Sequence, residues 1–171
     1  MSVRRFILIS LLFFSCNEGK DGVEKAYYSN GILKSEKIPV KDSISQYTYI
    51  EFYLTGFVKS IQTLKNGSAV GQLLSFHENG MLQKKIIVDS NNSANGMAYW
   101  FYPNGVLKNI RNYRNQKEVG LGGDYWDKPY GIIQSAVLFN DSGQVIYKMS
   151  YDSNGNFINR EGRKPDYWKG D

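Results

Sequence analysis

The chain has one cysteine and one histidine in 171 residues. A lone cysteine excludes an intramolecular disulfide and any cysteine-rich zinc site, and a lone histidine leaves a Ser-His relay no spare and a histidine-pair metal site no second ligand. A membrane-spanning helix needs about twenty apolar residues, and the only long apolar run, Phe6 to Phe14, has about nine. The charge excess is small as well. The formal net charge is +5, but without Arg4 and Arg5 the 21 basic residues become 19 against 16 acidic ones, about +3. Those that remain are scattered rather than clustered, so no nucleic-acid partner is expected. The length fits one domain or two small ones, enough to bury a core.

What is present starts at the N-terminus. Arg4-Arg5, the apolar run and Ser15-Cys16 follow the order of an export signal. A small residue directly before the only cysteine resembles the bacterial lipoprotein lipobox, although Phe13 and Phe14 depart from its commonest wording. That resemblance implies cleavage before Cys16 and acylation of Cys16, with three chains, where two already anchor stably. The competing reading is an ordinary secretory signal with an incidental cysteine, which would leave an unpaired thiol in an oxidising compartment. Residues 1–15 are thus read as a lipoprotein signal peptide and 16–25 as a flexible polar tether. Asn17 after the cysteine, where aspartate would imply inner-membrane retention, points to the outer membrane, within a lipid-anchored cell-envelope location.

The strongest signal in the rest is a repeat. Five segments align on one glycine: Tyr27-Tyr-Ser-Asn-Gly31-Ile-Leu-Lys, Phe52-Tyr-Leu-Thr-Gly56-Phe-Val-Lys, Phe76-His-Glu-Asn-Gly80-Met-Leu-Gln, Phe101-Tyr-Pro-Asn-Gly105-Val-Leu-Lys and Phe139-Asn-Asp-Ser-Gly143-Gln-Val-Ile. The glycines are spaced 25, 24, 25 and 38, so an insertion, 121–131, is expected before the fifth unit. Asn-Gly between alternating apolar runs signals a hairpin, and Pro103 suits a type I turn that leaves Gly105 in a left-handed bulge. That three-residue loop predicts the pairs Tyr27–Leu33, Phe52–Val58, Phe76–Leu82, Phe101–Leu107 and Phe139–Val145, each an aromatic facing an aliphatic residue. The other face is then expected to carry Tyr28, Tyr53, His77, Tyr102 and Asn140. The predicted fold is all-β: an antiparallel meander of about five tandem β-hairpins over 26–160, forming an elongated twisted sheet, with a C-terminal tail over 161–171.

These repeated residues resemble the bacterial MORN-repeat variant of proteins labelled YwqK-family antitoxins. Tyr27 to Glu36 and Phe101 to Lys108 follow the family wording closely, whereas Thr55, Ser142 and Asn140 depart from it. The resemblance implies a non-enzymatic repeat scaffold that binds another protein, with an antitoxin- or immunity-like role.

The candidate binding residues are Asp124, Tyr125, Trp126, Asp127 and Tyr130 of the insertion, with Tyr167 and Trp168 of the tail. Acids flanking a tryptophan in a glycine-bounded loop suit a protein hot spot, or a glycan whose ring stacks on the aromatics. The competing expectation is that the loop's aromatics fold back over the sheet. Asp124 and Asp127 as a hydrolase pair is a distant third reading, since many loop acids lie equally close. Asp152-Ser-Asn-Gly-Asn156 starts like a calcium loop but lacks flanking helix signals. No enzyme activity, catalytic residue, metal or cofactor is expected. The partners expected are a protein, the membrane through the lipid anchor, and alternatively a cell-surface glycan.

Overall fold

The computed structural model describes residues 17–18 and 22–166. Cys16, Tyr167 and Trp168 lie outside the described residues. Fourteen strands form one open antiparallel sheet: β1 (Asn17–Glu18), β2 (Glu24–Tyr27), β3 (Leu33–Pro39), β4 (Gln46–Phe52), β5 (Val58–Lys65), β6 (Ser68–Phe76), β7 (Leu82–Val88), β8 (Gly96–Phe101), β9 (Leu107–Arg114), β10 (Lys117–Glu118), β11 (Gly120–Tyr125), β12 (Ile133–Phe139), β13 (Val145–Tyr151) and β14 (Phe157–Gly162). Each strand pairs with its sequence neighbours, except that β10 folds onto β9 and β11 continues the sheet from β9. No described helix is long and apolar enough to cross a membrane. β1 and the start of β2 fall inside 16–25, the segment expected as a tether. There Asn17 and Glu18 pair with Lys25 and Glu24 through backbone bonds, which polar side chains do not prevent.

All five expected aromatic–aliphatic pairs are present, Tyr27–Leu33, Phe52–Val58, Phe76–Leu82, Phe101–Leu107 and Phe139–Val145. Each sits at a register shift. The turn is the expected one: Gly105 N donates to Tyr102 O (2.9 Å), Tyr102 N to Val106 O (2.8 Å), and Gly105 has φ +84°. Only glycine adopts that left-handed conformation without cost, which is why it is the repeat's fixed point. The residue left over by each shift is, in turn, Lys34, Lys59, Gln83, Lys108 or Ile146. The bulge lays Lys34 and Lys108 against the rings of Tyr28 and Tyr102, with ammonium-to-centroid distances of 5.8 and 5.5 Å.

The repeat count differs from expectation. Residues 121–131 are not an insertion outside the array: Gly120–Tyr125 is strand β11, and Trp126 N donates to Ile132 O (2.9 Å) to close a turn into β12. Tyr125 faces Ile133 and Tyr151 faces Phe157 with the same register shift as the other hairpins. The turns along this edge of the sheet therefore carry Gly31, Gly56, Gly80, Gly105, Gly131 and Gly155, spaced 25, 24, 25, 26 and 24. The Gly143 turn belongs to the opposite edge. It has the same local geometry, with Gly143 N donating to Asn140 O (3.0 Å), so its wording imitates a unit that it does not start. Six hairpins, not five, make the array, and β14 reaches Gly162 into the segment expected as a tail.

One layer cannot bury large side chains on both faces, and among the described residues none is fully buried. The most enclosed apolar residues are Ala98, Val119, Val137, Leu138 and Tyr147, in the C-terminal half of the sheet.

Candidate functional site

The turn edge is laced from hairpin to hairpin. Tyr28 Oη donates to Phe52 O (2.8 Å), Tyr53 Oη to Phe76 O (2.8 Å), His77 Nε2 to Phe101 O (2.9 Å) and Tyr102 Oη to Tyr125 O (3.1 Å). A carbonyl oxygen only accepts, so His77 carries its proton on Nε2 and replaces a tyrosine hydroxyl in function. The turn asparagines serve two hairpins. Asn79 and Asn104 accept from the N–H groups of Met81 and Val106 (both 3.1 Å), and their amides donate to Pro103 O and Asp127 Oδ1 of the next turn (both 2.6 Å). Asn140, expected in the tyrosine row, instead accepts from Ser142 N (3.0 Å) and Gln144 N (2.9 Å) within its own turn. Asp152 does the same for Asn154 N and Asn156 N (both 2.8 Å), and its bond from the Asn156 side chain is the main cause holding its carboxyl below the usual range.

Trp126 occupies the fifth place of this ladder, where the acceptor in sequence would be Tyr151 O. Its Nε1 is buried without an acceptor among the described residues. A tyrosine there has the hydroxyl that the four preceding units use. Trp126→Tyr is accordingly expected to exceed Trp126→Phe in stability by about 1 kcal/mol, the net worth of one hydrogen bond. Urea unfolding of the two variants measures the difference, and equal midpoints and slopes would sink the ladder account.

The other candidate residues of 121–131 are brought close but split by the strand's alternation. Asp124 and Trp126 line a shallow depression of about 330 Å³ with Ser135, Lys148, Ser150 and Tyr151. Tyr125 points to the other face, folding its ring back over Gly123, where a Cβ would lie 3.4 Å from the ring. Asp127 is held by Asn104. Tyr130, at the tip, is 65% exposed.

Asp124 belongs to a polar network around Arg111, a residue the sequence did not mark. The strand register places Arg111 across from Ala98 and Asp124 across from Asn109 and Ser135. Arg111 Nη1 donates to Ile110 O and Gly123 O (both 2.9 Å), and Nη2 donates to Asp124 Oδ1 (2.6 Å). Its Nε lies 3.7 Å from Glu118 Oε2, and its guanidinium carbon 5.8 Å from the centre of the Phe139 ring. Ser135 Oγ donates to the second Asp124 oxygen (2.6 Å), and Tyr113 Oη donates to Glu118 Oε1 (3.1 Å). Every oxygen of the two carboxylates is thus engaged.

Burial, followed by the charge of Glu118, pushes the Tyr113 hydroxyl up to about 12. Between the ordinary value near 10 and about 12 the folded chain keeps a proton that the unfolded chain releases, so this group's contribution to stability falls as pH rises through that window. Tyr113→Phe is expected to give a shallower alkaline loss. Urea midpoints at about pH 9 and about pH 11 test it, and an unchanged slope would count against it.

On this same face the register aligns a row across the sheet: Ser35, Glu51, Ser60, Ser75, Lys84, Trp100, Asn109, Asp124, Ser135 and Ser150. Two of its serine hydroxyls donate to carboxylates, Ser135 to Asp124 (2.6 Å) and Ser60 to Glu51 (3.0 Å). No group of three or more His, Cys, Asp or Glu placed to hold a metal ion occurs among the described residues. What the row offers is a largely polar surface with two depressions.

These hairpins have a counterpart among known families. Residues 20–42 and 94–115 match the MORN repeat variant. The first match spans the β2–β3 hairpin and the second the β8–β9 hairpin. MORN repeats are often involved in protein or membrane binding. No curated protein matches the chain. Among solved structures, a TarM variant of S. aureus in complex with fondaparinux, alpha-GlcNAc-glycerol and UDP is similar with a TM-score of 0.43 and 11% identity. A second TarM structure gives 0.42 and 12%. Each similarity covers 60% of this chain and 20% of the other.

Proposed function

We propose that the chain is a lipid-anchored, non-catalytic scaffold of the cell envelope that holds another protein on its MORN-type sheet, in an antitoxin- or immunity-type pairing. The observation that carries this reading is the single open layer of strands. Its carboxylates near the fifth turn are spent on Arg111, Ser135 and Asn104, while both faces of the sheet stay accessible. A surface of this kind suits recognition over a broad area rather than chemistry in a cleft. The anchor is Cys16, acylated after loss of residues 1–15, and Asn17 after it favours the outer membrane.

Deleting 121–130 would remove β11, so the test uses substitutions. Full-length chain with Trp126→Ala or Tyr130→Ala is expected to retain a specific cross-linked protein in its native cells. Cys16→Ser is expected to release the chain from the membrane fraction. An equally membrane-bound Cys16→Ser variant would overturn the anchor.

The second reading, a cell-surface glycan module, draws on Trp126, which lines one depression with Asp124, Lys148 and Ser150. It predicts retention on cell-wall polysaccharide that is lost in Trp126→Ala, with no protein captured.

A further inference from the structure

The second depression on the row lies two hairpins away from Trp126, and its chemistry is different. About 290 Å³ in volume, it is lined by His77, Gln83, Lys84, Trp100, Phe101 and Lys108. Lys84 stands between Ser75 and Trp100 in the cross-strand register. It is half-buried and makes no ion pair or hydrogen bond with any described residue. The acids of the row cannot serve it: Glu51 accepts from Ser60 Oγ (3.0 Å) and lies 4.0 Å from Lys59 Nζ, and Asp124 is taken by Arg111 and Ser135. Lys108, at the rim, stacks on Tyr102 and leaves its ammonium without a carboxylate. Glu78, in the turn above, is exposed.

A partly desolvated ammonium gains most from a carboxylate that completes its shell, and the indole beside it supplies the aromatic wall that anchors side chains at interfaces. The row's excess charge is thus positive at this one place, in a hollow of about 290 Å³ with room for an acidic side chain. We propose that this depression is an acidic-segment site: a glutamate or aspartate of the protein partner seats its carboxylate on Lys84, against Trp100, with Lys108 closing the rim. The inference rests on the protein-binding reading and names the chemistry of the partner.

Lys85 provides the control. It is the next residue, carries the same charge, and pairs with Tyr99 on the opposite face. Titrating the full chain with hexaglutamate at low salt in a calorimeter is expected to give saturable binding that weakens at least tenfold in Lys84→Met. Lys84→Arg should stay within about threefold of the native chain, as should Lys85→Met. Lys108→Met is expected to weaken binding less than Lys84→Met, which gives a second reading should Lys84→Met fold poorly by circular dichroism. Equal losses in Lys84→Met and Lys85→Met would mean net charge alone and would overturn the site while leaving protein binding intact. Absence of hexaglutamate binding would do the same. Lys84-dependent binding of polygalacturonate with none of hexaglutamate would overturn both the site and the protein-binding reading, in favour of a glycan face.

Discussion

Arg111→Ala is expected to destabilise the chain by about 3–5 kcal/mol, the cost of removing one partner from a mostly buried ion pair. Its side chain is 14% exposed, and it satisfies two backbone carbonyls and one carboxylate oxygen directly. Without it, Asp124 keeps a charge with only the Ser135 hydroxyl as donor, and Glu118 loses its nearest cation. Small domains are stable by only about 5–15 kcal/mol, so the variant is expected to unfold at a much lower urea concentration. Arg111→Lys should not rescue it, because an ammonium cannot reproduce the planar fork that reaches Ile110 O, Gly123 O and Asp124 together. Adding Asp124→Asn to Arg111→Ala is expected to recover part of the loss, since the uncompensated carboxylate accounts for much of it. A loss below about 1 kcal/mol would show the network to be solvated in practice. The network joins β9, β11 and β12, and so holds β11, which carries Asp124 and Tyr125 and leads into the turn of Trp126, Asp127 and Tyr130.

How much of this was legible follows from which rules are local. The hairpin register was: Asn-Gly or its variants, flanked by an aromatic and an aliphatic residue, fixes a three-residue turn, and from that follow all five pairs from Tyr27–Leu33 to Phe139–Val145. Which edge a turn occupies is not local. The Gly143 segment has the wording of a unit and the geometry of one, yet it closes the opposite edge. The true fifth turn, between Trp126 and Ile132, has five loop residues instead of three and no Asn-Gly, so it read as an insertion. Strand parity holds the missing signal, since Gly131 lies 26 residues after Gly105 and 24 before Gly155. Of the candidate residues, Asp124 and Trp126 line one depression, Asp127 accepts from Asn104, and the Tyr125 ring lies back over Gly123, as the expectation of aromatics folding over the sheet has it. Arg111 was invisible because its partner is 13 residues away on another strand, across the β10 excursion. Lys84 was invisible for the reverse reason: its interest lies in partners it lacks, which only the register of β6, β7 and β8 reveals.

Gly122→Ala carries the second large effect, and its cause is space rather than backbone conformation. Gly122 is buried and, unlike the turn glycines, has no left-handed φ. A Cβ on it would lie 3.0 Å from Arg111 Cδ and 3.1 Å from Ile110 O. The first contact could yield by a rotation of the arginine, but the second is backbone in the neighbouring strand, and moving it disturbs the β9–β11 pairing at Ile110–Gly123. Overpacking of this kind costs about 1–3 kcal/mol. The consecutive glycines 122 and 123 therefore have separate duties on opposite faces, one making room for the guanidinium and the other for the Tyr125 ring. That division yields a sharper test than the single variant. In Arg111→Ala the Cδ contact no longer exists while the carbonyl contact remains, so the cost of Gly122→Ala should shrink by about 0.5–2 kcal/mol without vanishing. Strict additivity in the double-mutant cycle would mean that Gly122 is not there for Arg111. Complete loss of the Gly122→Ala penalty in the Arg111→Ala background would mean that the β9 backbone yields freely, and the close strand approach would then impose no constraint of its own.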